Sequence, residues 1–210
     1  MMSSTQHRLR THMAAQCANA ALPTRWGSFR ALGFQVESDR GTADYLALQM
    51  GDIHSHAPLV RIHSRCLTGD ALGSLRCDCQ AQLHLALEAI AVAGAGVLLY
   101  EPEEGRGIGL MEKLRSYGLQ DAGLDTVDAN LALGHPVDAR TYQGAAAVLL
   151  ALGMHHVRLM TNNPDKVQAL EAAGIRVVER VNATAPHQVE AAQYLKTKRE
   201  RLGHHGGARD

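Results

Sequence analysis

An excess of charge of either sign is missing from this chain. Its 210 residues carry 21 Lys or Arg against 21 Asp or Glu. Nothing global therefore draws it to nucleic acid or to an anionic membrane, and any anionic ligand must be held by local clusters of Arg and Lys. Long apolar runs are missing too: none approaches the roughly 20 residues of a membrane-spanning helix. Residues 1–20 lack the apolar core of a secretory signal. Cysteine is scarce, with four residues of which three fall in one segment, so a secreted disulfide framework is not expected and the cytoplasm is the expected compartment. The apolar fraction of 46% describes an ordinary soluble protein, long enough for one large domain or two small ones.

Residues 1–20 read as a disordered leader, 21–203 as a single domain and 204–210 as a flexible tail. His204 and His205 in that tail fit a frayed terminus better than a metal site. Strands are expected at residues 22–30, 45–50 and 59–63, the last alternating apolar and polar like a half-buried strand. Together they form a β-rich N-terminal part. Helical spacing over residues 80–93 places Leu83, Leu87 and Ile90 on one face. A buried strand at 97–100, a Gly-rich loop at 101–110 and a helix at 111–120 follow. A helix at 139–152 comes next; then a strand at 157–160, a loop at 161–166, a helix at 167–173 and a strand at 175–179 form a strand–loop–helix–strand unit. A last helix is expected at 188–202. The fold class is α/β, a mixed sheet with flanking helices, with ligands expected at the C-terminal ends of parallel strands.

The segment 61–79 organises the chain, because it holds Cys66, Cys77 and Cys79. Three thiolates and no obvious fourth ligand suit an open, catalytic zinc, whereas His63 as a fourth ligand would make the site structural. Reduced core thiols are the plainer alternative, since free cysteine is commonly buried. The loop 101–110 could approach a phosphate through glycine and a helix N-terminus, or could be a solvated turn. Asp138 and Arg140 alone would suit a helix N-cap and a surface charge, and TNNP at 161–164 an ordinary turn.

Taken together, CLTGDAL (66–72), RCDC (76–79), EGRGIGL (104–110), DTVDAN (125–130), DAR (138–140), TNNP (161–164) and YLKTK (194–198) resemble the GTP cyclohydrolase II family. The resemblance covers residues 22–204, so residues 21–203 would be one catalytic domain of that kind. It implies hydrolysis of GTP at C8 of guanine with release of formate and pyrophosphate, at the start of riboflavin synthesis. It makes Cys66, Cys77 and Cys79 ligands of one Zn²⁺ per subunit, with Mg²⁺ accompanying the triphosphate. GTP would be bound by Arg61, Ile62, His63, Ser64, Arg65, Gln82, Glu104, Gly105, Arg106, Thr126, Thr161 and Lys166. Asp138 would be the proton acceptor, Arg140 the nucleophile or organiser at the α-phosphate, and Tyr117 a residue near the reaction centre. A homodimer is implied, and neither nucleic acid nor membrane as partner.

The chain departs from the family pattern at Arg65, where Glu is usual, at Gln80 for Gly and at Glu103 for Gln. These changes suggest a divergent paralogue. Two alternatives stand beside the full reaction: ring opening without pyrophosphate release, and a zinc- and nucleotide-binding protein without turnover.

Overall fold

A computed structural model describes residues 12–54, 56–185 and 201. The described strands form one seven-stranded sheet, β1-β2-β3-β5-β4-β6-β7. Three long strands open the chain: β1 (Met13–Thr24), β2 (Gly27–Ser38) and β3 (Gly41–Met50). They meander antiparallel, and β3 pairs antiparallel with β5 (Gly96–Glu101). The rest of the sheet is parallel: β4 (Leu59–Ser64) lies between β5 and β6 (His156–Met160), and β7 (Arg176–Val181) closes that edge.

Helices cover both faces, as parallel strands require. Helix α1 (Cys79–Ala93) packs Ala86, Leu87 and Ile90 with Phe29, Leu48, Leu59 and Leu98. On the opposite face α4 (Gln143–Ala151) and α5 (Pro164–Ala172) bury Ala145, Val148, Leu149 and Leu170 against Phe34, Val60, Ile62, Leu99 and Leu159. Between these layers α2 (Leu110–Asp121) and α3 (Thr126–Ala132) pack on each other beside the cleft. The α/β class and mixed sheet expected from sequence are present.

Several details differ. The chain expected as a leader already contains β1 from Met13, so residues 13–20 are sheet; residues 1–11 lie outside the described residues. The single strand read at 22–30 is two strand ends, residues 22–24 closing β1 and 27–30 opening β2, with a turn at 25–26 between them. Helix α4 begins four residues late, because the Asp138 carboxylate takes the Arg140 N–H at 3.0 Å and holds residues 138–140 in a turn. Helix α3 was not expected as a helix; the Asp125 side chain caps it, accepting from Val127 and Asp128 N–H at 2.7 and 2.8 Å. The last expected helix and the tail fall outside the described residues, apart from Arg201.

The most useful difference is β4. Its alternation suggested one solvated face, yet Leu59, Val60, Arg61, Ile62 and His63 are all buried. β4 is a central parallel strand. The polar members of its alternation, Arg61 and His63, face a cleft under the helices rather than bulk water.

Candidate active site

The cleft opens where β4, β5 and β6 end, the position expected for a ligand in a sheet of this kind. After β4 the chain enters a tight π-helical turn, Leu67–Ala71, that brings Cys66 back towards the start of α1, where Cys77 and Cys79 stand. The three sulfur atoms lie within 4.8 Å of one another, and Cys66 Sγ is 3.7 Å from Cys77 Sγ. Gly69 makes this convergence possible: a Cβ there would stand 2.8 Å from Cys77 Sγ and 3.1 Å from Cys66 Sγ.

Charge within the trio is shared unequally. Hydrogen bonds from Cys77 and Cys79, with help from the Lys113 ammonium, hold the Cys66 thiol far below its ordinary range. The same hydrogen bonds and burial push Cys77 up to about 11 and Cys79 well above its ordinary value. Binding of a divalent ion needs deprotonated thiols, so it would release protons from the trio. Soft sulfur donors at these spacings fit zinc.

His63 does not complete the set. Its Nε2 sits 3.0 Å from Asp70 Oδ1, and Asp70 also accepts the Cys66 N–H at 2.9 Å and the Tyr100 hydroxyl at 2.8 Å. Burial depresses the His63 pKa, so the ring is neutral at pH 7. Among the described residues the only cluster able to hold a metal is the three cysteines, which leaves a fourth corner open, as in catalytic rather than structural zinc sites.

Tyr117 stands above the trio, its hydroxyl 3.4 Å from Thr68 Oγ1 and its ring beneath the Arg76 guanidinium at 4.8 Å. Burial raises its pKa, so the phenol keeps its proton and acts as a donor at neutral pH. Gln82 lies deeper: its amide nitrogen donates to Asp78 and its oxygen accepts from Arg61, both at 2.5 Å. Arg61 also donates to the Met160 carbonyl at 3.0 Å, so a buried polar chain connects the Cys-Asp-Cys turn to β6.

The other end of the cleft is cationic. In the loop after β5, Gly105 and Arg106 both adopt left-handed backbone, with φ of 60° and 59°. For Arg106, which has a Cβ, that conformation costs about 1–2 kcal/mol. It is fixed from across the cleft, where the Arg106 carbonyl accepts the Ala139 N–H at 3.0 Å. Strain of this kind persists where surrounding structure over-determines it, commonly at ligand sites. Lys166 is buried at the start of α5, its ammonium on the Ile62 carbonyl at 2.8 Å.

Arg140 is gripped by Asp138 through Nε at 2.9 Å and NH2 at 2.5 Å, and its NH1 meets Ser64 Oγ at 3.3 Å. Burial works against the Arg140 charge, but the hydrogen bond with Asp138 overrides it and raises the pKa. Burial likewise opposes the Asp138 charge, yet Arg140 holds that carboxyl below its ordinary range.

Most residues assigned from sequence thus converge on one cleft: Arg61, His63, Ser64, Arg65, Gln82, Glu104, Gly105, Arg106, Tyr117, Thr126, Arg140, Thr161, Lys166 and the three cysteines all line it. Two sit differently from the rest. Ile62 is fully buried in the core, and its carbonyl holds Lys166. Asp138 has both oxygens on Arg140, a contact that orients the guanidinium. Glu104 also turns inward, 2% exposed; its oxygens accept the Leu67 N–H and the Lys113 ammonium, both at 2.8 Å. Arg65 is half exposed at the rim, its Nε 3.8 Å from Glu104 Oε2.

Lys113, Asp70, Ser116 and Asn130 were not picked out from sequence. One signal was available: Lys113 and Tyr117 are four apart on α2 and so share a face.

Comparison with known proteins decides what this cleft belongs to. The pattern of the GTP cyclohydrolase II family matches residues 15–182. The chain belongs to the GTP cyclohydrolase II family. The GTP cyclohydrolase-2 of Histophilus somni (strain 2336) is 50% identical over 188 residues, covering 89% of this chain and 86% of that protein. The enzyme of the same name from Neisseria meningitidis serogroup A is 49% identical over 188 residues, covering 89% and 94%. The riboflavin biosynthesis protein RibBA of Salinispora arenicola is 51% identical over 201 residues; the match takes in 94% of this chain but 47% of that protein. A solved structure, RibBX from A. baumannii, described as a two-domain 3,4-dihydroxy-2-butanone 4-phosphate synthase, aligns with a TM-score of 0.50 at 20% identity. It covers 83% of this chain and 42% of that one, and is similar in fold. These likenesses place the chain among riboflavin-biosynthesis hydrolases. No helix among the described residues is long and apolar enough to cross a membrane.

Proposed function

We propose that this chain hydrolyses GTP, opening the guanine imidazole ring at C8 and releasing formate and pyrophosphate. The product would be 2,5-diamino-6-ribosylamino-4(3H)-pyrimidinone 5′-phosphate, the first intermediate towards riboflavin. The observation that carries the reading is the pairing, in one cleft, of a three-thiol cluster with a cationic end built from Arg106, Arg140 and Lys166.

Zinc held by Cys66, Cys77 and Cys79 would supply Lewis-acid activation of water, the chemistry that hydrolysis at C8 requires. The chain's own residues do the rest. Tyr117, protonated and close to the trio, donates a hydrogen bond to the reacting oxygen. Gln82, fixed by Asp78 and Arg61, presents its remaining amide N–H towards the guanine. Arg140 meets the α-phosphate with a planar, permanently charged guanidinium. Asp138 orients it and keeps it protonated, so that as a water attacks the α-phosphorus and the α–β bond breaks, Arg140 stabilises the charge on the departing pyrophosphate rather than attacking as a nucleophile. Lys166, Arg106 and a Mg²⁺ travelling with the substrate neutralise the remaining phosphates. A cytoplasmic homodimer, with no nucleic-acid or membrane partner, completes the reading and rests on the family likeness.

The test is a time course with zinc-loaded protein, GTP and Mg²⁺, measuring formate and pyrophosphate separately. Equal accumulation supports the full reaction. Formate without pyrophosphate removes the role given to Arg140. Neither product, with zinc bound, leaves a nucleotide-binding protein without turnover.

A further inference from the structure

Lys113 is buried, 8% exposed, on the face of α2 that looks into the cleft. Its ammonium is 2.8 Å from Glu104 Oε1 and 3.0 Å from Cys66 Sγ. A buried ammonium needs a partner, and the carboxylate alone would satisfy it. The second contact, to a sulfur of the metal-binding trio, is not needed for pairing. It has a reason in the charge of the site: three thiolates around a divalent ion carry a net charge of about −1. In a cleft shielded from water that excess weakens the pull of the metal on its remaining ligand.

Cys66 is held through its backbone. Its N–H is held by Asp70 at 2.9 Å, and the next N–H, that of Leu67, by Glu104 at 2.8 Å. Glu104 therefore grips the turn through one oxygen and Lys113 through the other. It also begins the left-handed loop that carries Arg106. The Arg65 guanidinium, 3.8 Å from Glu104 Oε2, offsets the charge of Glu104 itself.

We propose that Lys113 is a positioning residue for the three-cysteine site. It donates a charge-assisted hydrogen bond to the Cys66 sulfur and offsets the excess negative charge of the thiolate trio, while Glu104 fixes its ammonium in place. The inference rests on the cysteines holding a divalent metal, as proposed above. A sulfur engaged by an N–H donor gives less electron density to a bound metal and leaves that metal the stronger Lewis acid. Partners just outside a metal's ligands tune affinity and activity in this way, and their loss costs about 10–100-fold.

The experiment replaces zinc by Co²⁺ and reads the thiolate-to-cobalt charge-transfer absorption of wild type, Lys113→Met and Lys113→Arg. The structure predicts that Lys113→Met binds cobalt with the band moved to longer wavelength, and that Lys113→Arg restores most of the wild-type position. On the zinc enzyme, Lys113→Met should lower kcat for GTP by about 10–100-fold with KM unchanged. A band that stays in place in Lys113→Met overturns the proposal, as does a rise in KM with kcat preserved. If Lys113→Met does not fold, Glu104→Gln carries the test, since it loosens the ammonium while still accepting the Leu67 N–H. Its band should move the same way by less, and an unmoved band overturns the proposal. A wild-type protein that shows no thiolate–cobalt band refutes the metal site and this inference with it. A wild-type band that Lys113→Met leaves unchanged refutes the inference alone.

Discussion

At one end of the cleft three sulfurs stand within 4.8 Å of one another, and the nearest fixed cation is Lys113, 3.0 Å from Cys66. Elsewhere in the cleft Arg140 and Lys166 both lie over the Tyr142 ring, Arg140 held by the Asp138 carboxylate and Lys166 donating to the Ile62 carbonyl. Both groups are restrained by hydrogen-bond partners fixed in the fold. The restraint differs in kind. The sulfur end is fixed mainly through its backbone, with Asp70 and Glu104 each holding an N–H of the Cys66 turn. The cationic end is fixed mainly through its side chains. A metal centre needs its ligand atoms pre-set before the ion arrives, whereas phosphate recognition needs charged tips that are correctly aimed. The cleft meets each need with the same few residue types.

If the ends are separable, damage to each should have its own product signature. The largest effect is expected from Cys77→Ser: formate release lost altogether, pyrophosphate release retained, and the thermal midpoint close to wild type. Global unfolding would instead mean that the cluster is structural. Next, Arg140→Ala should lower pyrophosphate release by about 10²–10³-fold, the scale for losing one preorganised charge-stabilising donor. Formate release should fall less. Tyr117→Phe keeps the ring and its stacking with Arg76 and removes only the donor. Formate release should drop by about 10²-fold, in the range for a positioned proton-handling group, with pyrophosphate release spared.

The smallest effect concerns stability. The folded Asp138 carboxyl has a lowered pKa, so its contribution is present above the unfolded value of about 3.9. It is lost as pH falls through the lower folded value. Wild type should therefore exceed Asp138→Asn in stability at neutral pH by on the order of 1 kcal/mol, a modest figure because the pair is partly solvated. Acid titrations of the two proteins should begin to converge as pH falls below about 3.9 and meet below the lower folded value.

Much of this site was legible from sequence because its residues come in contiguous motifs, each at the end of a strand or the start of a helix. Cys77 and Cys79 stand close in sequence, which left a metal site and buried thiols both open until the other motifs were read with them, and Gly105 to Gly109 mark a loop that turns sharply. What was not legible depends on partners distant in the chain. Nothing in the sequence places Leu67 and Lys113 on the Glu104 carboxylate, or both Asp138 oxygens on Arg140. β4 read as half exposed because its polar residues alternate, and only its central place in the sheet shows that they face a cleft. Residues 13–21 of β1 were overlooked for a simpler reason: they mix Ala with Gln, Cys and Asn and have little apolar bulk, so they carry almost no alternation to read.

The most direct test of the two-ended cleft is a crystal structure with zinc and a non-hydrolysable GTP analogue, using anomalous scattering at the zinc edge. The account predicts an anomalous peak bonded to Cys66, Cys77 and Cys79, guanine C8 facing it beside Tyr117, and the α-phosphate on Arg140. A metal bound elsewhere, or a nucleotide lying with its phosphates towards the sulfurs, would contradict it.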